Sequence, residues 1–260
     1  MFGFHWYGLI IGVGVLVSIQ VSVWLAKRRK IAEEILWNGA WWALAGGLIG
    51  ARLYHVLDLW SEIYSLDPIS VLYIWNGGLG IIGGLIGGFL GLFIYYRYII
   101  HHPSSIIHFN NLLDIAFFGL PLGQAIGRIG NFINQEVYGL PTDLPWGIYI
   151  DEKFGRFHPL FAYEALWMLL GFGLMFMAEK TDRLKWIKQS FTGFYLVWYG
   201  VGRFWLDFLR PKDVVWFIGS FNMAQVSSVL MISLGLGLLI SYCAEERICH
   251  AKHDPAPRET

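Results

Sequence analysis

Runs of about twenty predominantly apolar residues recur along this chain, and nothing else limits its fold as strongly. A helix crossing roughly 30 Å of hydrocarbon needs a stretch of that length. Seven such stretches lie near residues 4–25, 38–59, 79–99, 112–131, 159–178, 191–209 and 222–243. The composition agrees: 56% of the 260 residues are hydrophobic, 17% aromatic and only 15% charged, unlike an ordinary soluble domain. In a bilayer every backbone amide must be satisfied within its own segment, so the expected fold is an all-α integral membrane protein with about seven transmembrane helices. The spans fill most of the length. Residues 1–243 are therefore expected to form one polytopic transmembrane domain and 244–260 a polar tail. A formal net charge of zero argues against a general nucleic-acid binder.

The basic residues set the expected orientation. Lys27, Arg28, Arg29 and Lys30 follow the first span, Lys180, Arg183, Lys185 and Lys188 separate the fifth from the sixth, and Arg247, Lys252 and Arg258 follow the last. These segments fall on one side, which the positive-inside rule makes cytoplasmic. The N-terminus then lies outside, the tail inside, and the polar stretch from Asn131 to His158 faces the outer side. The first span has no basic residues before it and no small-residue cleavage pattern after it, so it reads as a retained anchor. Cys243 and Cys249, at the inner end of the last span, would face a reducing compartment, where neither a disulfide nor a metal site is expected. His101, His102 and His108 flank Pro103 in a short polar loop without ligand spacing and read as a solvated loop.

Three segments carry polar chemistry into this apolar background. Residues 127–139, Gly-Arg-Ile-Gly-Asn-Phe-Ile-Asn-Gln-Glu-Val-Tyr-Gly, place Arg128 at the end of the fourth span. A charge there costs roughly 2.5–3.5 kcal/mol on insertion scales, so Arg128 needs protein partners or an anionic ligand. In the sixth span Tyr199, Arg203, Asp207 and Arg210 share one helical face, whose net positive charge favours an anion such as phosphate. The glycine-rich run from Gly77 to Gly88, with Gly80, Gly84 and Gly88 at four-residue spacing and Gly83 and Gly87 beside them, suits either close helix packing or approach to a lipid headgroup. It lacks the lysine and hydroxyl residue of a phosphate loop. Arg52 in the second span reads as structural, and Asp114 as a helix-end or ion-pair residue. Arg128 and Arg203, both in the outer half, could converge on one phosphodiester, with Asn131, Asn134, Glu136, His158, Tyr163 and Glu164 nearby and His5 and Tyr7 entering from the first span. These positions lead as far as an outer-leaflet site for an anionic lipid.

Residues 127–139 resemble the signature Gly-Arg-x-Gly-Asn-Phe-x-Asn-x-Glu-x-x-Gly of the phosphatidylglycerol:prolipoprotein diacylglyceryl transferases, matching every fixed position. Further pieces agree in order: His5-Trp6-Tyr7-Gly8, Gly77-Gly78 with Gly83-Gly84, His158-Pro159 with Tyr163-Glu164, and Tyr199 with Arg203 before Arg210-Pro211. The resemblance implies an enzyme of the bacterial inner membrane, active toward the outer leaflet. It would transfer the diacylglyceryl group of phosphatidylglycerol to the lipobox cysteine of a prolipoprotein signal peptide and release glycerol 1-phosphate. No metal, nucleotide or redox cofactor is implied. Carried over residue by residue, the catalytic set is Arg128, Arg203, Glu136, Asn131 and Tyr199, with Tyr7, Asn134, Gly130, Gly139, His158 and Glu164 binding substrate. The arginines would hold the leaving phosphate, and Glu136 and His158 are chemically able to act as base.

The chain also departs from that pattern. Ile82 stands where many members carry a histidine considered as the base, Leu160 and Phe161 replace polar residues, and Asp207 replaces a glutamate. The outer loop from Leu140 to Phe157 is short. The competing expectations are a membrane transporter, which inverted repeats would support, and a non-catalytic binder of an anionic lipid.

Overall fold

The computed structural model describes residues 6–100, 107–212 and 215–253. His5, His101 and His102 lie outside them, and so do the side chains of Cys243 and Cys249. The described residues are mostly helical: α1 (Trp6–Arg28), α2 (Glu33–Asp58), α3 (Ile81–Tyr95), α4 (Phe109–Ile133), α5 (Leu160–Lys180), α6 (Lys185–Gln189), α7 (Phe191–Leu206) and α8 (Met223–His253). Two small antiparallel hairpins interrupt them, β1 (Ile148–Ile150) with β2 (Gly155–Phe157), and β3 (Phe217–Ile218) with β4 (Phe221–Asn222). Among the described residues five helical segments are long and apolar enough to cross a membrane: Trp6–Arg28, Ile81–Tyr98, Phe109–Ile133, Leu160–Lys180 and Met223–Tyr242. Helices also occupy the other two expected positions. There α2 carries Glu33, Glu34, Arg52, His55 and Asp58, and α7 spans only 16 residues before a single 3-10 turn at Asp207–Leu209. Large apolar side chains such as Leu16, Ile49, Leu85, Leu170 and Leu234 are exposed, as lipid-facing side chains are.

The chain groups into two compact units, Met1–Ser22 with Leu113–Thr260, and Val23–Leu112. In the second of these, α2 and α3 approach backbone to backbone. A Cβ on Gly50 would strike the Gly83 carbonyl oxygen, one on Gly87 that of Gly46, and one on Gly91 that of Trp42. Gly84 and Gly88 sit in looser contact, so the closest stripe is Gly83, Gly87 and Gly91, one position along from the Gly80, Gly84, Gly88 series. Small residues permit this approach, and packing accounts for the run. Ahead of α3, Gly77 and Gly78 take positive φ of 86° and 74°, a turn that glycine adopts without strain. Arg52 ties this loop to α2 by donating to the carbonyls of Ser70, Val71 (2.8 Å), Gly77 (2.8 Å) and Gly78 (3.1 Å), which is the structural role expected of it.

The unit formed with Leu113–Thr260 has its core around Phe118, whose ring meets Phe172 of α5 and Phe191 of α7, with Ile115, Leu160 and Met175 fully buried. Asp114 is buried and accepts from the backbone N–H (2.9 Å) and hydroxyl (2.7 Å) of Thr192, at the start of α7. It thus stabilises the end of a neighbouring helix, where unpaired N–H groups and the helix dipole favour a carboxylate. Between α5 and α7, Trp167 and Trp198 each donate the indole N–H to the other's carbonyl oxygen, both at 2.8 Å, with rings stacked 4.2 Å apart at 13°. Gly171 and Gly202 leave room for the two indoles. This clasp fixes α5 against α7 about one turn from Glu164 and Arg203.

Candidate active site

At the last turn of α4 the signature segment folds into a tight polar chain. Arg128 donates from Nη1 to Asn131 Oδ1 at 3.0 Å, Asn131 Nδ2 donates to Glu136 Oε2 at 3.3 Å, and Asn134 Nδ2 to Glu136 Oε1 at 3.2 Å. The backbone reverses after the helix because Gln135 and Val137 adopt positive φ, 52° and 57°. For a β-branched valine that conformation is unfavourable and must be held by its surroundings. Phe161 N–H bonds to the Val137 carbonyl at 3.1 Å, and Gln135 exchanges two 2.9 Å hydrogen bonds with Asp151 beside the first hairpin. The short turn thereby carries Glu136 back toward Asn131, whose carbonyl accepts from the Glu136 N–H at 2.8 Å.

Glu164, buried in the second turn of α5, is the centre of the charge cluster. Its carboxylate meets Arg128 Nη2, Arg210 Nη2 at 3.2 Å and Arg203 Nη1 at 3.8 Å. Arg203 also lies 3.4 Å from Asp207, four residues on, and Asp207 accepts from the side-chain amide of Asn222. Arg210 follows the end of α7 in extended conformation, so it shares the cluster without sharing the helix. Three guanidiniums against the carboxylates of Glu164 and Asp207 leave one positive charge in excess. The Nη1 of Arg203 and Nε of Arg210 are buried without a hydrogen-bond partner among the described residues.

A small recess opens beside this cluster. Arg128, Glu164, Tyr199 and Arg203 line it together with Gln124, Trp167 and Gly202. Of the residues expected from the sequence, those first four converge. Asn131, Asn134 and Glu136 connect to them through Arg128 but do not line the recess. Tyr7 packs its ring on Gly130, where a Cβ would come within 2.7 Å of Cδ2. Gly139 is buried under backbone, since a Cβ there would lie 2.8 Å from the Leu209 carbonyl oxygen and 2.9 Å from His158 Cβ. His158 shares a 3.3 Å hydrogen bond with the hydroxyl of Tyr163, which accepts from Trp146 Nε1 at 2.8 Å.

Residues 1–241 match the family model described as prolipoprotein diacylglyceryl transferase. The chain belongs to this family. Among its relatives, the phosphatidylglycerol–prolipoprotein diacylglyceryl transferase of Trichormus variabilis is 37% identical over 243 residues, covering 89% of this chain and 83% of the relative. That of Synechococcus elongatus is 38% identical over 252 residues, covering 92% and 83%. That of Streptococcus uberis is 37% identical over 247 residues, covering 92% and 91%.

In this prolipoprotein diacylglyceryl transferase family member, sequence reasoning missed five recess residues, Gln124, Trp167, Met168, Gly202 and Leu206. Gln124 precedes Arg128 by four positions and so shares its helix face, a spacing that could have found it. Trp167 and Gly202 carry no such signal, because their pairing depends on how α5 and α7 pack. Nor did the sequence reveal Glu164 as a shared partner of three arginines.

Proposed function

We propose that this protein transfers the sn-1,2-diacylglyceryl group of phosphatidylglycerol to the lipobox cysteine of prolipoproteins, forming a thioether and releasing glycerol 1-phosphate. Family membership names the reaction, and the observation that supports its location is the convergence of Arg128, Arg203 and Tyr199 on one recess. The cysteine sulfur attacks the glycerol carbon, the carbon–oxygen bond to phosphate breaks, and the electron pair leaves with the glycerol phosphate. Negative charge therefore grows on the phosphate. Arg128 and Arg203 meet it with permanently charged, forked donors aimed from two helices, an arrangement that lysine would not reproduce. The Nη1 of Arg203, buried and without a hydrogen-bond partner among the described residues, is a donor still to be satisfied.

Glu164 acts before and after the reaction. It keeps the guanidiniums gathered while the phosphate is absent, and its interaction with each weakens as the phosphate takes its place. The thiol, with an ordinary pKa of about 8.5, must lose a proton. Ile82 cannot accept it. The positive field of the cluster favours the thiolate. Glu136, oriented by Asn131 and Asn134, and His158, oriented by Tyr163, are the two groups able to take the proton. The whole is read as a multi-pass protein of the bacterial inner membrane with seven spans, N-terminus outside and C-terminus inside, and the recess toward the outer leaflet. The distribution of Lys and Arg supports this orientation.

The test is a reconstituted assay with phosphatidylglycerol and a lipobox peptide, reading thioether product and released glycerol phosphate. Wild type is expected to form both, and Arg128→Ala and Arg203→Ala to lose about 100-fold or more while remaining folded. Glu136→Gln against His158→Gln, compared by pH profile, identifies the base. A folded wild type that retains phosphatidylglycerol yet forms no product would sink the reading in favour of a lipid binder.

A further inference from the structure

Gln124 lines the recess one helical turn before Arg128, and its side-chain amide is only half used. Its Oε1 accepts from the hydroxyl of Tyr195 at 2.9 Å. Tyr195 is buried and stacked on Tyr199 at 5.7 Å, so its hydroxyl needs that acceptor and its ring has little freedom to move. With the carbonyl end committed, the amide is oriented and its Nε2 carries two donors. Among the described residues none accepts from them. The other polar side chains lining the recess are Arg128, Arg203, Tyr199, Glu164 and Trp167, the last already donating to the Trp198 carbonyl. A guest bearing oxygen acceptors would satisfy both the amide and the cations.

We propose that Gln124 is a direct ligand of the lipid headgroup, its Nε2 donating to an oxygen of the phosphate or of the terminal glycerol, with Tyr195 as the positioning residue that sets the amide's orientation. The inference rests on the transferase reading and extends it. The arginines supply charge, which any anionic phospholipid satisfies; the neutral, oriented amide supplies direction, which separates headgroups by where their oxygens lie. Gln124 acts in binding and forms or breaks no bond.

The decisive variants are Gln124→Met, which keeps the side chain's length and removes its donors, and Tyr195→Phe, which keeps the donors and releases the amide. Gln124→Met is expected to raise KM for phosphatidylglycerol by about tenfold with kcat changed less than threefold, and Tyr195→Phe to raise it by less. Competition by sn-glycerol 1-phosphate and by inorganic phosphate locates the contact. Weakened inhibition by both assigns it to phosphate, and weakened inhibition by glycerol phosphate alone assigns it to a glycerol hydroxyl. A folded Gln124→Met enzyme with KM within twofold of wild type would overturn the proposal. So would equal effects of the two variants on KM and on melting temperature, which would make Gln124 and Tyr195 a purely structural pair. Equilibrium binding of phosphatidylglycerol to both variants gives the answer even if wild type makes no thioether product, so failure of the transferase reading is seen separately.

Discussion

Glu164 shows how a single residue can have a role that its own neighbourhood in sequence does not disclose. It is one carboxylate in an apolar helix, and three arginines from other segments reach it. Replacing it by glutamine leaves three guanidiniums with Asp207 as their remaining counter-charge. Removal of one partner of a buried ionic group typically costs about 3–5 kcal/mol, so Glu164→Gln is expected to melt well below wild type. Added inorganic phosphate should recover more of that loss in the variant than it adds to wild type. Thermal unfolding in detergent across a phosphate series measures this; an equal response of the two proteins would show that Glu164 does not occupy the anion's position. The residues of the signature were legible in order and in kind: Arg128, Asn131, Asn134 and Glu136 form one hydrogen-bonded chain. Their partner on α5 was legible as a polar residue and, by resemblance, as a substrate-binding one, but not as an arginine partner, because contacts across helices follow packing and leave no spacing in the sequence. Gly130 and Gly139 serve close approach of a ring and of backbone, reasons that lie in three dimensions.

At the scale of elements, the helices locate the site by two different means. Glycine brings α2 against α3, and paired tryptophans bind α5 to α7. A methyl group on Gly87 would meet the Gly46 carbonyl, whereas one on Gly12 would meet nothing within 4 Å. Overpacking typically costs about 1–3 kcal/mol, so Gly87→Ala should lower the melting temperature and Gly12→Ala should leave it unchanged. Matching losses in both would indicate that helix approach is not the reason. Gly202→Ala is expected to disturb the recess as well, because the added Cβ would press on the Trp167 indole. Its signature is a larger fall in product formation than in thermal stability, measured on the same preparation. The glycine run was legible as a packing surface, but the four-residue series at Gly80, Gly84 and Gly88 is not the closest one. Both series repeat every four residues, so periodicity alone does not choose between them. Only the rotation of α3 against α2 brings Gly83, Gly87 and Gly91 into deepest contact.

For the whole molecule, helices stand at each of the seven places where apolar runs occur, and five segments among the described residues have the length and hydropathy to span on their own. Of the other two, α2 carries Glu33, Glu34, Arg52, His55 and Asp58, which lower its hydropathy, and α7 is only 16 residues long before the 3-10 turn. The seven-span reading makes a definite prediction. Single cysteines placed in the 140–157 loop should react with an impermeant reagent added outside intact cells, and those placed between α5 and α7 only after the membrane is opened. The reverse labelling pattern would overturn the orientation. The charge cluster has a further consequence for how such a chain is made. Arg128 enters the bilayer on α4 and Glu164 only later on α5, so the earlier helix arrives with an unmatched charge near its C-terminal end. Until the ribosome delivers its counter-ion, α4 is a passenger that the insertion machinery must shelter, and the order of synthesis becomes part of the assembly of the site.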